Sequence, residues 1–335
     1  MNQRGMMDWE TLLEEYFFSK PLRPDTEKSY RGVVAVFQKF IGEDKLPDEV
    51  THRDLILWRR DMLGRGLTTS TWNNKVRHLQ ALYNQGIKKK WLLISENPVK
   101  ETQVPPGSKR KRLLNRDQLV RLNLVLEQFE GQEKLSVGKN RPCALYPVWY
   151  WRTVIDVLRS TGMRQNQLLH IRLMDVDMEA NSILLCREGS KTHREWLVPI
   201  VGFARERMRI LINRAINQGA EPGDYLFDVE RFKNPLGLVG PEPEIQPVRS
   251  FFTRLTKECG FKVTPHRFRH TLATEMMKSP ERNLAMVKNL LGHRSVSTTM
   301  EYIELDLKIT GQALESELAL YMDIPRIPAT GPGVS

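Results

Sequence analysis

A run of turn-forming residues, Pro105-Pro106-Gly107-Ser108, divides this chain of 335 residues into two unequal parts. Proline removes a backbone donor and glycine weakens regular structure, so neither a helix nor a central strand continues through such a run. A chain of this length is long enough for two domains with separate hydrophobic cores. We therefore predict one domain over residues 1–97, a linker over 98–112, a second domain over 113–323 and a disordered tail over 324–335.

The first part reads as helices only. Apolar residues recur at helical spacing, beginning with Trp9, Leu12, Leu13 and Tyr16. We predict an all-α bundle of about four helices. Asp25 is the expected N-cap of the second helix and Ser70 or Thr71 that of the fourth, because these side chains accept hydrogen bonds from the first helical turn.

The second part mixes two periodicities. Residues 149–160 read as a buried helix, and residues 203–218 and 246–259 as two further helices. The short apolar segments 181–186 and 195–200 are joined by a polar stretch, which is typical of two antiparallel strands. The expected fold class is therefore mainly α with a small antiparallel β-sheet (α+β).

Composition limits the possible functions. The net charge of +11 favours a polyanionic partner such as nucleic acid, although charge alone is weak evidence. No apolar run approaches the ~20 residues that span a bilayer, and the first residues lack the apolar segment of a signal peptide. The three cysteines are far apart, so we expect no disulfide framework, no metal site and a cytoplasmic location.

Three segments of the second part share residues that could cleave a phosphodiester. They contain Arg164 in Thr161-Gly162-Met163-Arg164, an HxxRH cluster (His266, Arg269, His270), and His293 followed nine residues later by Tyr302. A tyrosine hydroxyl is a nucleophile once its proton is removed, and arginine can hold two phosphate oxygens at once. Each residue alone is more often a surface or core residue; their joint occurrence in this order favours catalysis.

These segments resemble the boxes of the tyrosine recombinase (phage integrase) family, and the resemblance extends over nearly the whole chain. It implies a helical core-binding (SAM-like) DNA-binding domain followed by a catalytic domain. It also implies that Arg164 and Arg269 clamp the scissile phosphate and that His266 assists proton transfer at the tyrosine. By the same resemblance His293 would hydrogen-bond the phosphate, and Tyr302 would form a 3′-phosphotyrosine bond.

The family carries its catalytic lysine in a β-hairpin turn, which makes Lys191 the candidate general acid for the leaving 5′-oxygen. One position departs from the family pattern. Gln167 stands where the family commonly has a carboxylate that would orient the first arginine, and an amide can accept a hydrogen bond but carries no charge.

Basic residues suggest where duplex DNA would be bound. A cluster on the predicted third and fourth helices, and a run in the linker, could contact phosphates and make the affinity depend on salt. A solvated surface is the alternative for each. The candidates are Arg53, Arg59, Arg60, Lys75, Arg77, Lys88, Lys89, Lys90, Lys109, Arg110, Lys111 and Arg112.

The resemblance predicts a site-specific DNA recombinase or integrase of a bacterial mobile element that acts as a tetramer on two recombination sites. Accessory DNA-bending proteins are possible partners, and neither a cofactor nor a membrane is expected. Residues 310–322 would dock on a neighbouring protomer or on their own domain. The chain begins almost directly with helices, so no separate arm-binding domain is expected. The alternatives are a type IB topoisomerase-like enzyme and a non-catalytic DNA-binding regulator.

Overall fold

The computed structural model describes residues 7–105, 107, 113–135, 143–190, 194–233, 242, 244–278, 284–300 and 302. The chain divides into two compact units, Met1–Arg110 and Lys111–Ser335. Among the helices described, none has the length and apolar character needed to cross a membrane. The predicted fold class is confirmed, because the described residues form many helices and one small antiparallel sheet.

The described residues of the first unit form helices without strands, as predicted. The helices are α1 (Trp9–Phe18), α2 (Pro24–Ile41), α3 (His52–Gly64) and α4 (Thr69–Lys88), with a 3-10 turn at Pro47–Glu49. Aromatic side chains fill the centre of this bundle. Trp58, Trp72 and Tyr83 are completely buried there, and the rings of Phe37 and Trp58 lie 4.7 Å apart.

Two predicted N-caps are wrong. Helix α2 begins at Pro24, because the fixed φ of proline suits the first turn of a helix, so Asp25 lies inside that turn. Helix α4 is capped two or three residues earlier than predicted, at Thr68. The side chain of Thr68 accepts a hydrogen bond from the backbone nitrogen of Thr71 at 3.2 Å.

The chain after α4 stays attached to the bundle as far as Val104. The Asn73 side chain donates to the carbonyl of Val104 at 2.7 Å and accepts from its backbone nitrogen at 2.9 Å. The indole of Trp72 donates to the carbonyl of Thr102 at 2.8 Å. These bonds hold the first residues of the predicted linker on α4.

The second unit is built around α6 (Val148–Thr161). Its Trp151 ring stacks on Phe251 with 4.1 Å between centroids, and nine of its side chains are buried. Helix α6 confirms the predicted buried helix. The remaining helices are α5 (Arg116–Leu135), α7 (Gln165–Leu169), α8 (Gly202–Asn217), α9 (Glu230–Lys233), α10 (Gln246–Cys259), α11 (Pro265–Met277), α12 (Leu284–Leu291) and α13 (Val296–Met300).

The sheet has three antiparallel strands in the order β1 (Val176–Asp177), β2 (Ser182–Leu185) and β3 (Trp196–Pro199). The predicted pair is β2 and β3, with Leu185 opposite Trp196 in the register. Strand β1 was not predicted, because two residues are too short to show alternation. The turn between β2 and β3 includes Lys191, which lies outside the described residues.

Candidate active site

The first candidate arginine lies at a sharp junction between two helices. Helix α6 ends at Gly162, which has a φ of +63°, and Arg164 is the N-cap of α7. A Cβ on Gly162 would stand 2.9 Å from Cδ2 of Leu291, so the turn needs glycine for both its conformation and its space. The sequence predicted this junction, since a glycine interrupts an apolar helical pattern there.

The Arg164 side chain has unused hydrogen-bonding capacity. Its Nη1 atom is buried and bonds to none of the described residues. Burial lowers the pKa of Arg164, and Tyr302 raises it. A buried donor without a partner calls for a ligand, and an anion such as a phosphate oxygen fits a guanidinium best.

Gln167 does not orient this guanidinium. Its Oε1 atom accepts a hydrogen bond from the backbone nitrogen of Arg164 at 2.8 Å, which closes the first turn of α7. The amide that replaces the family's carboxylate therefore fixes the backbone of Arg164. Its own Nε2 atom is buried and has no partner in the described part of the chain.

The second arginine, Arg269, is held from three directions. Nη1 donates to the carbonyl of Gly162 at 2.8 Å, and Nη2 donates to the carbonyl of Leu291 at 2.9 Å and to Nε2 of His293 at 2.7 Å. Only 3% of this residue is exposed. Burial, followed by the charge of Arg164, lowers its pKa to about 10, while Tyr302 raises it through its charge and a hydrogen bond.

His293 is a neutral histidine whose two ring nitrogens are both engaged. Because Arg269 can only donate, Nε2 accepts and the ring proton lies on Nδ1, which donates to the hydroxyl of Thr299 at 2.9 Å. Burial and the two nearby arginines lower its pKa to about 4. In this arrangement His293 could donate from Nε2 to a phosphate only after the bond with Arg269 breaks.

Tyr302 lies against this cluster and is 95% buried, with 5% of its surface exposed. Its ring is parallel to that of His293, with 5.9 Å between centroids and 7° between planes. On another side, the ring of His270 lies 5.3 Å away. The structure thus brings Tyr302 together with Arg164, Arg269 and His293, four of the six predicted catalytic residues.

His266 and His270 form a pair on the first turns of α11. Their Nε2 atoms are 2.8 Å apart and their ring centroids 4.1 Å apart. The N-cap of α11 is Thr264, whose side chain accepts from the backbone of Arg267. His266 is the more exposed member, and His270 is the one whose ring contacts Tyr302.

Lys191 lies outside the described residues. Gly189 before it and Trp196 after it each form a hydrogen bond with a helix that carries residues of the site. Before it, the carbonyl of Gly189 accepts from the side chain of Asn166 in α7 at 3.2 Å. After it, the indole of Trp196 donates to the carbonyl of Leu290 at 3.1 Å and covers Gly292. Asn166 follows Arg164 by two positions, and Leu290 precedes Leu291, whose carbonyl accepts from Arg269.

The sequence indicated no place in the site for Trp196 or Thr299, and it placed His270 in the HxxRH cluster without a role of its own. Trp196 gave a faint signal, because an aromatic residue alternates with Val198 on one face of a strand. Nothing in the sequence indicates that its partner is the Gly292 backbone. Thr299 could not be found, since nothing in the sequence indicates that its side chain is buried against His293.

The candidate DNA-binding residues of the first unit fall on several faces. An α-helix turns about 100° per residue, so Lys75 and Arg77 lie on nearly opposite sides of α4. Arg59 is partly buried and reaches the carbonyl of Thr102 at 3.4 Å, and burial lowers the pKa of Lys75. The exposed candidates are Arg53, Arg60, Arg77, Lys88, Lys89 and Lys90. Lys109, Arg110, Lys111 and Arg112 are outside the described residues.

No cluster of three or more histidine, cysteine or carboxylate side chains suited to a metal ion occurs within the part of the chain that the structure describes.

Models of two families match this chain. Residues 146–308 match the phage integrase family, and residues 11–92 match the N-terminal SAM-like domain of phage integrases. A Pseudomonas syringae protein with the provisional name tyrosine recombinase XerC is 36% identical over 90% of this chain. A Pseudomonas aeruginosa protein with the same provisional name is 34% identical over 89% of it. This chain covers 63% of the length of the first relative and 69% of the second.

Solved structures share the fold. The Tn1549 transposon integrase in complex with transposon right end DNA covers 93% of this chain with a TM-score of 0.70 and 18% identity, and all of that chain is matched. A lambda integrase dimer bound to a COC' core site covers 91% with a TM-score of 0.64 and 17% identity, over 82% of its own chain. The chain described here belongs to the tyrosine recombinase (phage integrase) family.

Proposed function

We propose that this protein is a site-specific DNA recombinase that cuts and rejoins DNA through a covalent 3′-phosphotyrosine bond to Tyr302. The observation that carries this proposal is the placement of two arginines against one buried tyrosine. Tyr302 is close enough to raise the pKa of both Arg164 and Arg269, and Arg164 is close enough to lower the pKa of Arg269. Nη1 of Arg164 has no partner among the described residues. Family membership supports the same reaction.

In the proposed reaction Tyr302 Oη attacks phosphorus and the bond to the 5′-oxygen breaks. Arg164 supplies unused donors to the non-bridging oxygens, where charge accumulates in the transition state. Arg269 is fixed by its bonds to Gly162, Leu291 and His293 and also bonds Tyr302, so it contributes its remaining donor capacity from a fixed position. Lys191 is the proposed donor of the proton that the 5′-oxygen needs. The phosphotyrosine bond stores the energy for rejoining, so the reaction requires no external energy source.

The proposed substrate is duplex DNA with two recombination sites, and the proposed working unit is a tetramer. Accessory DNA-bending proteins are compatible with this function. The exposed basic residues of α3 and α4, with the basic run at residues 109–112, are the proposed phosphate contacts. Each contact that is lost should reduce the slope of log affinity against log salt by about 1.

A suicide substrate tests the chemistry. DNA with a nick next to the cleavage site releases a short fragment, so the protein stays covalently bound. We expect the wild-type protein to form this adduct and Tyr302→Phe to form none, while Tyr225→Phe, in the same unit, forms it normally. An adduct that persists in Tyr302→Phe would refute the assignment, and absence of any adduct on genomic sites next to the gene would favour a DNA-binding regulator.

A second assay separates recombination from topoisomerase activity. Recombination should need two specific sites and a multimer on DNA. If a monomer relaxed any supercoiled plasmid without such sites, the type IB topoisomerase-like alternative would replace the proposal.

A further inference from the structure

The histidine pair on α11 offers a route for the proton that Tyr302 must lose. His270 contacts the Tyr302 ring at 5.3 Å between centroids, and its Nε2 atom lies 2.8 Å from Nε2 of His266. A histidine can take a proton on one ring nitrogen and release one from the other, which is what a relay requires.

We propose that His270 is a catalytic residue that accepts the phenol proton of Tyr302 and passes a proton through its Nε2 atom to His266. This inference rests on the proposed function and extends it, since the resemblance to the family assigned proton transfer to His266 alone. The bond from Oη to phosphorus forms as the phenol proton moves to His270. At the same time the 5′-oxygen leaves phosphorus and receives a separate proton.

The two histidines differ in burial, and this difference suits their different roles in the relay. His270 is partly buried and faces the nucleophile, whereas His266 is exposed on the first turn of α11 and can exchange a proton with water. Tyr302 itself is only 5% exposed, so little of this residue is in contact with water. The relay therefore connects Tyr302 with water through two histidines, of which the second is exposed.

The arginine side of the site cannot perform this task. His293 also lies against Tyr302, but its Nε2 atom accepts from Arg269 and its Nδ1 atom donates to Thr299. The described groups around the nucleophile that can carry charge are Arg164 from the start of α7, Arg269, His266 and His270 from α11, and His293 from the end of α12. Of these, the histidine pair alone combines contact with Tyr302 and a bond toward solvent.

The test measures the rate of covalent adduct formation on a suicide substrate at saturating DNA. His270→Phe keeps a ring beside Tyr302 but cannot accept a proton, and we expect a loss of about 10²-fold or more. His266→Phe should lose less, because water can replace an exposed proton acceptor. His78→Phe makes the same change on α4 of the first unit and should leave the rate unchanged.

A fluorinated tyrosine at position 302 separates proton transfer from packing. Ring fluorination makes the phenol more acidic, so a missing base should matter less, and the His270→Phe deficit should shrink by about tenfold. His270→Gln is measured in parallel in case phenylalanine disturbs folding. The relay is refuted if His270→Phe or His270→Gln stays within about tenfold of wild type, if His266→Phe loses more, or if fluorination does not reduce the deficit. An inactive wild-type protein would instead refute the proposed function.

Discussion

The two sides of Tyr302 are built differently. On the arginine side, Arg269 and His293 are 3% and 4% exposed and bond each other. Arg269 also bonds the carbonyls of Gly162 and Leu291, and His293 bonds Thr299, so these bonds join separate segments of the chain. On the histidine side, Nε2 of His266 and Nε2 of His270 bond each other within the first turns of one helix. The arginine side should therefore carry folding stability as well as chemistry, whereas the histidine side should carry chemistry with little stability.

Arg269→Ala should give the largest effect. It leaves two buried carbonyls and Nε2 of His293 without a donor, and each such group costs about 1–3 kcal/mol, so we expect a loss of at least about 3 kcal/mol in the free energy of unfolding. Urea denaturation measures this loss. The exposed Arg254→Ala on α10 is the control and should change stability by less than about 0.5 kcal/mol. Equal stability of the two variants would contradict the structural role.

Gly292→Ala should come next, and Gly260→Ala is its matched control. Both glycines have positive φ, +64° and +76°, so both substitutions carry about 1–2 kcal/mol of backbone strain. At Gly260 an added Cβ meets nothing within 4 Å, whereas at Gly292 it overlaps the indole ring of Trp196. Thermal denaturation should show a clearly lower Tm for Gly292→Ala. Similar Tm values would mean that the indole moves away freely.

Thr299→Val should have an intermediate effect. Valine keeps the shape but removes the hydroxyl that accepts from Nδ1 of His293, and a buried donor left unpaired costs about 1–3 kcal/mol. The neighbouring Thr298 is exposed, so Thr298→Val should be nearly neutral in the same urea titration. If Thr299→Val were equally neutral, the bond between Thr299 and Nδ1 of His293 would contribute nothing to stability.

The stability of the second unit should fall on acidification because of His293. Its pKa drops from 6.5 in the unfolded chain to about 4 in the folded protein. Between these values the unfolded state binds more protons, so the stabilisation present above pH 6.5 is lost as the pH falls toward 4. His293→Gln should flatten this dependence, and His78→Gln should not. Unfolding titrations at several pH values in this window would decide it, and parallel profiles for the wild type and His293→Gln would count against a neutral, buried imidazole.

His270→Phe should have the smallest effect on stability. It removes one partly exposed hydrogen bond, which contributes about 1 kcal/mol or less to folding. The same variant should lose adduct formation as described above. A large fall in stability would instead make the two sides of Tyr302 alike.

Local patterns predicted the framework of the site. The glycine that interrupts the apolar pattern of α6 placed Arg164 at a turn, and the proline before His266 placed the histidine pair at a helix start. The two main strands also followed from two short apolar segments joined by a polar stretch. These features depend on neighbours in sequence, which is where pattern reasoning is strongest.

Contacts between distant segments could not be predicted in the same way. The partners of Arg269 come from Gly162 and Leu291, more than a hundred and about twenty positions away, and no spacing rule connects them. The caps of α2 and α4 were wrong for a local reason. Helix α2 begins at Pro24 without any capping side chain, and at α4 several hydroxyl residues stand in a row, of which Thr68 is the cap.

The indole of Trp196 over Gly292 also constrains how this chain can change over generations. Any larger residue at position 292 meets the ring, so it becomes acceptable only after position 196 has shrunk. A smaller residue at 196, in turn, exposes the segment next to His293 and gives up the hydrogen bond to Leu290. The order of mutations is therefore restricted, and relatives that differ at one of these positions are expected to differ at both.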